Sequence, residues 1–262
     1  MPTTTGAPHV PTGGVRELTV DPRYNGPVGW ANGGYACGLI AGAMGRDLPA
    51  DHRIQVTLRR PVPLGAPLRV ELSAGEPGGQ VWHGDELVAS TEPTVLRSTL
   101  PPVSPDISAA RLAGDRHPGW PADGPLADCF VCSPRRPDGL RVIAGPLDDD
   151  PTVTATPFEP ARCSTVIADA GIVRPEIIWA ALDCPSFPAS ALLTGRVCLL
   201  GTFTAHRNRD IRLEERLVVV GWVREHERRV YRTASAMLDA AGTVVAAAQA
   251  TWIELKDQPR PA

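Results

Sequence analysis

Arg60-Pro61-Val62-Pro63-Leu64-Gly65-Ala66-Pro67-Leu68-Arg69-Val70 lines up, at one constant offset, with Arg209-Asp210-Ile211-Arg212-Leu213-Glu214-Glu215-Arg216-Leu217-Val218-Val219. Each stretch reads as the end of a strand, a short turn carrying one apolar anchor, and the start of a new strand. Each follows a run of small and apolar residues with helical character. One supersecondary unit is therefore written twice, and a duplicated unit often builds its site between the copies.

In the first copy, residues 24–29 (YNGPVG) form a loop by their Gly and Pro content. Asn32 is a good N-cap for a helix over residues 33–44, GGYACGLIAGAM. Four glycines stand in that run, and each costs about 1 kcal/mol relative to Ala in a helix. Such a cost is accepted where the backbone must approach something closely, as when a sheet wraps the helix. Alternating apolar residues then predict strands over residues 53–60 and 68–72, and a weaker pair within 80–90. In the second copy Pro175 stands at a favourable first helical position, and EIIWAALDC at 176–184 reads as a short helix stopped by Pro185. Four strands follow, over residues 199–208, 216–224, 229–239 and 243–255, with a hairpin turn at Asp239-Ala240-Ala241-Gly242. Residues 101–126 hold six prolines and are expected to form an extended, irregular connector. The resulting division is 15–100, connector 101–128, and 129–262.

At 262 residues and a net charge of −3 the chain has room for a sizeable core. It offers no basic surface for nucleic acid. No apolar run reaches the ~20 residues that span a bilayer, and residues 1–14 do not read as a secretory signal, so the expected location is the cytoplasm. The six cysteines are then expected to be reduced, with Cys37, Cys184 and Cys198 as packing residues.

The order of helix and antiparallel meander resembles the hotdog superfamily. The second copy, with WAALDCP around Asp183 and the strands flanking 209–219, is similar to small acyl-CoA thioesterases of that superfamily. The first copy, GPVGWANGGYACGLIAGAM with TLRRPVPLGAPLRVE, is similar to the N-terminal half of double-hotdog thioesterase-like proteins. The resemblance implies an α+β fold, a tandem (double) hotdog in which two helices are each wrapped by a curved antiparallel sheet. It also implies a homodimer and an acyl-CoA or acyl-carrier-protein substrate, with no cofactor.

Site residues follow from that resemblance. Asn32-Gly33-Gly34 matches the turn that opens the family's helix, where free N–H groups polarise a thioester carbonyl; Gly34 and Tyr35 are the expected donors. The family's carboxylate position falls on Ala41 in the first copy, which cannot serve, and on Asp183 in the second. The second copy's helix start, Arg174-Pro175-Glu176, lacks the Gly-Gly turn. The copies therefore complement one another: Asp183 as base or nucleophile, Asn32 as orienting group, and Gly33, Trp30, Trp179 and Ile178 as substrate-binding residues. On sequence alone Asn32 can also be read as an ordinary cap, and Asp183 as a buried structural hydrogen-bonder.

Other patterns are weaker. Cys129-Phe130-Val131-Cys132 is a single CxxC; a metal would need more ligands, with His117, Asp128 or Cys163 on offer, and a packed turn without metal is the plain reading. Asp47 and His52 have the spacing of hotdog hydratases but follow the helix. No nucleophile elbow, phosphate loop or dinucleotide fingerprint is present. The reading is a thioesterase; a non-catalytic acyl-binding hotdog protein and a hydratase or dehydratase of fatty-acid or polyketide metabolism are the alternatives.

Overall fold

The two quoted stretches occupy equivalent places in space. The computed structural model describes residues 14–44, 52–74, 77–96, 100–163 and 167–256. The first copy supplies β1 (Val15–Thr19), α1 (Gly33–Ala43), β2 (His52–Leu58), β3 (Pro67–Leu72), β4 (Gly79–His83) and β5 (Glu86–Val95). After it come α2 (Ile107–Asp115), β6 (Gly145–Pro146), β7 (Val153–Phe158), the small ribbon β8 (Ala168–Asp169) with β9 (Ile172–Val173), α3 (Pro175–Asp183) and α4 (Ala189–Leu193). Four long strands close the chain: β10 (Cys198–Arg207), β11 (Leu217–Glu227), β12 (Val230–Leu238) and β13 (Val244–Glu254).

All strands but β8 and β9 join one antiparallel sheet in the order β1-β3-β4-β5-β2-β10-β13-β12-β11-β7-β6. The order is a palindrome of roles. In each half the strand after the helix (β2, β10) pairs with the last strand of a meander, and the strand after the quoted turn (β3, β11) lies three places out. The halves meet at β2 and β10, through Thr57 opposite Thr202 and Val56 opposite Phe203. The anchors of the two turns are Val62 and Ile211, both buried. Val62 O accepts from Ala31 N–H (2.9 Å) and Ile211 O from Val173 N–H (2.8 Å), so each turn ties down the segment that leads into its half's helix.

α1 and α3 pack antiparallel against one another on the sheet, and this explains two of the α1 glycines. A Cβ on Gly34 would overlap Asp183 Cβ and come within 2.8 Å of Trp179 O; one on Gly38 would come within 2.7 Å of Glu176 Cα. The close approach expected from the glycines is therefore to the second helix rather than to the sheet. Gly42 has open space around it, and nothing in the packing explains it.

The connector departs from the expectation. Asp106 caps Ser108 and Ala109 N–H through Oδ1 and starts α2, whose Ala110 and Ala113 pack with Val153, Ala155, Val218 and Val220 in a small cluster of their own. The nearby prolines hid this cap and its alanine face. Residues 117–144 contain neither helix nor strand, yet Cys129 to Cys132 are buried. Arg136, itself buried, pins this stretch to the first half by donating to Asn25 Oδ1 and to Arg23 O (2.6 Å), and it pairs with Asp138 (2.7 Å). Asp47 lies outside the described residues, as does the side chain of His52. No described helix is long and apolar enough to cross a membrane.

Candidate active site

The C-terminal end of α3 meets the N-terminal end of α1. A helix end leaves its last carbonyls without intrahelical partners, and here hydroxyls supply them. Ser235 Oγ donates to Leu182 O (2.7 Å), Ser186 Oγ to Asp183 O (2.7 Å) and Thr154 Oγ1 to Pro185 O (2.8 Å). Trp252 Nε1–H in turn donates to Ser186 Oγ (3.0 Å). The backbone of Asp183 is thereby fixed to β7, β12 and β13.

Its carboxylate, 3% exposed, reaches across to the other half. Oδ2 accepts from Gly34 N–H (2.9 Å) and from Asn32 Nδ2 (3.0 Å), while Asn32 Oδ1 accepts from Tyr35 N–H (2.9 Å). Oδ1 has no hydrogen-bond partner among the described residues. The carboxylate thus sits unfavourably at the negative end of α3 and favourably at the positive end of α1. Burial pushes its pKa up to about 7, and the Gly34 and Asn32 donors oppose that shift.

The expected meeting of Asn32, Gly33, Gly34 and Asp183 is therefore what the structure contains, with one change of role. The N–H groups of Gly34 and Tyr35 are already engaged, to Asp183 and to the Asn32 cap, so neither lies open to a ligand. Gly33 lines the cleft and its N–H makes no hydrogen bond among the described residues. Three further expectations are corrected. Tyr35 stacks on Tyr24 (centroids 3.9 Å apart), and burial raises its pKa. Trp179 packs edge-on against Phe203 and Ile178 is fully within the core. None of the three borders the cleft; Trp30 does. Trp179 also faces α1, its Cβ and Cγ lying 3.0 Å from where a Cβ on Gly38 would stand, and helical spacing alone does not say which residues of α3 reach the cleft. At the opposite end of the helix pair Arg174 offers α3 no side-chain cap and donates to Tyr24 Oη (2.7 Å).

The cleft has a volume of about 550 Å³, the size that takes a small-molecule ligand. Asn32, Gly33 and Asp183 line it, with an apolar wall that includes Leu58, Phe187, Leu200 and Trp252, and Arg59, Arg60 and Arg229 also border it. His117, Cys129, Cys132 and Cys184 share the same lining. Cys184 had been read as packing; nothing in the sequence places the end of α3 against residues 129–132. Asn32→Ala removes a helix cap and a buried donor together. It is expected to lower stability by about 2 kcal/mol, as read from denaturant unfolding.

No protein-family model and no curated protein matches the chain. Solved structures do. The dehydratase domain of PpsC from Mycobacterium tuberculosis, in complex with C12:1-CoA, superposes with a TM-score of 0.59 at 16% identity, over 93% of this chain and 94% of that one. A conserved protein of unknown function with a hot dog fold from Alicyclobacillus acidocaldarius gives 0.53 at 12%, over 93% and 94%. The acyl-CoA thioesterase II TesB2 from Mycobacterium marinum gives 0.52 at 12%, over 92% and 93%. At such identities the likeness fixes the fold: the chain has the hotdog fold along nearly its whole length.

Proposed function

We propose that the chain is a tandem hotdog thioesterase, with units over 15–100 and 129–262 joined by 101–128, and that it hydrolyses an acyl-CoA or acyl-carrier-protein thioester in the cleft. The observation that carries this reading is the buried Asp183 carboxylate of one half, held by Asn32 and Gly34 at the helix N-terminus of the other, with Oδ1 unpartnered. In the reaction Asp183 takes a proton from water as the water oxygen attacks the thioester carbon. The carbonyl oxygen, gaining charge, is stabilised at the positive end of α1, where the Gly33 N–H is the available donor. The tetrahedral adduct then expels the thiolate, which recovers the proton from Asp183. Asn32 and Gly34 act as positioning groups for the carboxylate. The acyl chain lies along Leu58, Leu200, Phe187 and Trp252, and the carrier's phosphates lie toward Arg59, Arg60 and Arg229. A homodimer acting in the cytoplasm belongs to the same reading.

The test is thiol release from a panel of acyl-CoAs and acyl-carrier proteins, run beside mass spectrometry of any ligand retained through purification. Saturable release from at least one thioester is expected. Retained acyl ligand with no release from any of them would replace hydrolysis by binding alone. One observation favours a second reading, a hotdog hydratase or dehydratase: His117 borders the same cleft as Asp183, giving a second proton-transfer group. Water addition to an enoyl-CoA without thiol release would select it.

A further inference from the structure

We propose that Cys129, Cys132 and Cys184 form a site for a thiophilic divalent metal ion of the zinc class, with the fourth coordination position turned to the cleft. The three Sγ atoms all lie within 4.8 Å of one another. Tetrahedral zinc with bonds of about 2.3 Å sets its sulfurs roughly 3.8 Å apart, so a contraction of about an ångström closes the set. The thiols come from two remote parts of the chain, two from the irregular stretch 117–144 and one from the residue that follows α3. All three are free thiols and all three border the cleft, which gives an ion a way in and leaves room for water as the fourth ligand.

Two further observations bear on the site. Long segments without helix or strand normally run over the surface, yet Cys129, Phe130, Val131 and Cys132 are at most 3% exposed. Arg136 and the Phe130 N–H bond to Asn25 O tie this stretch to the first half; an ion would clamp its two cysteines to the end of α3. Trp120 Nε1–H donates to Cys132 Sγ at 3.2 Å, the kind of outer hydrogen bond that orients a metal-bound thiolate. The donor set is all sulfur, which selects zinc-like ions over magnesium or calcium. On binding, three S–H bonds break, three metal–sulfur bonds form and three protons pass to solvent; nothing is oxidised or reduced.

The experiment uses the full chain, reduced and freed of metal by a chelator, with Co²⁺ as the first probe and Zn²⁺ as the second. One Co²⁺ per chain is expected, with intense near-ultraviolet sulfur-to-cobalt bands and the visible bands of a tetrahedral ion, all abolished by one equivalent of Zn²⁺. X-ray absorption of the zinc-loaded protein is expected to count three sulfurs at about 2.3 Å and one lighter neighbour. Cys184→Ser should drop the sulfur count to two and weaken binding by about 100-fold or more, whereas Cys163→Ser should behave as wild type. No sulfur-to-cobalt band at millimolar Co²⁺, fewer than three sulfurs in the wild type, or an unchanged sulfur count in Cys184→Ser overturns the site. If Cys184→Ser does not fold, the wild-type sulfur count decides alone.

Discussion

Asp183→Asn should lower the rate of thioester hydrolysis by about 10²–10⁴-fold while leaving the melting temperature close to that of the wild type. The loss is the size expected when a positioned general base is removed. The fold survives because an amide has the same shape and its oxygen can still accept from Gly34 N–H and Asn32 Nδ2, the two donors that now meet Oδ2. Asp183→Ala makes the useful contrast. It removes the base and also strands both donors in a buried site, which adds about 1–3 kcal/mol of destabilisation. Steady-state kinetics of both variants beside their melting curves separates the chemical role of the carboxylate from its structural one. If Asp183→Asn hydrolyses as fast as the wild type, Asp183 is a structural hydrogen-bond acceptor and the proposed mechanism fails.

Gly221→Ala should be the most damaging Gly→Ala change among the described residues. Gly221 lies on β11, where a Cβ would overlap the carbonyl of Pro185 and come within 3.0 Å of Thr154 Oγ1. The obstacle is backbone, in the turn that directly follows Asp183, and that turn is held by the Thr154 hydroxyl. Neither side can yield without moving the end of α3. A loss of roughly 3 kcal/mol is expected, a fall of about 6–12 °C in melting temperature for a domain of this size. Activity should fall beyond what the unfolded fraction explains, because Asp183 moves with the turn. A melting temperature within about a degree of wild type would contradict this account of the strand glycine.

The sequence was most legible where local pattern and long-range packing agree. The four strands expected in the second half correspond to β10 to β13, with bounds that agree within one residue except at the end of β11, which runs three residues further. The paired turns were readable because Val62 and Ile211 must anchor the same contact twice. Asn32 and Asp183 could be brought together only through a family likeness, since nothing local to residue 32 speaks of residue 183. What failed did so for physical reasons. Trp179 and Ile178 were expected to line an acyl path between the helices, but both are buried in the core, Trp179 between Gly38 of α1 and Phe203. Tyr35 follows the Gly-Gly turn, but its N–H serves the Asn32 cap and its ring serves Tyr24. The helix Ile107–Asp115 was hidden by flanking prolines. The grouping of Cys184 with the CxxC depends on how a segment without regular structure is folded back, and periodicity carries no information about that.

The palindromic sheet has a consequence for stoichiometry. Two identical subunits paired about such a seam would present two equal clefts and would have to keep every group in both. Joined in one polypeptide, each half is free to specialise. On the proposed reading, one half keeps the Gly-Gly turn and the other the carboxylate, with Ala41 and Pro175 at the matching positions. A tight-binding substrate analogue should therefore saturate at one molecule per chain in calorimetry, however many chains associate.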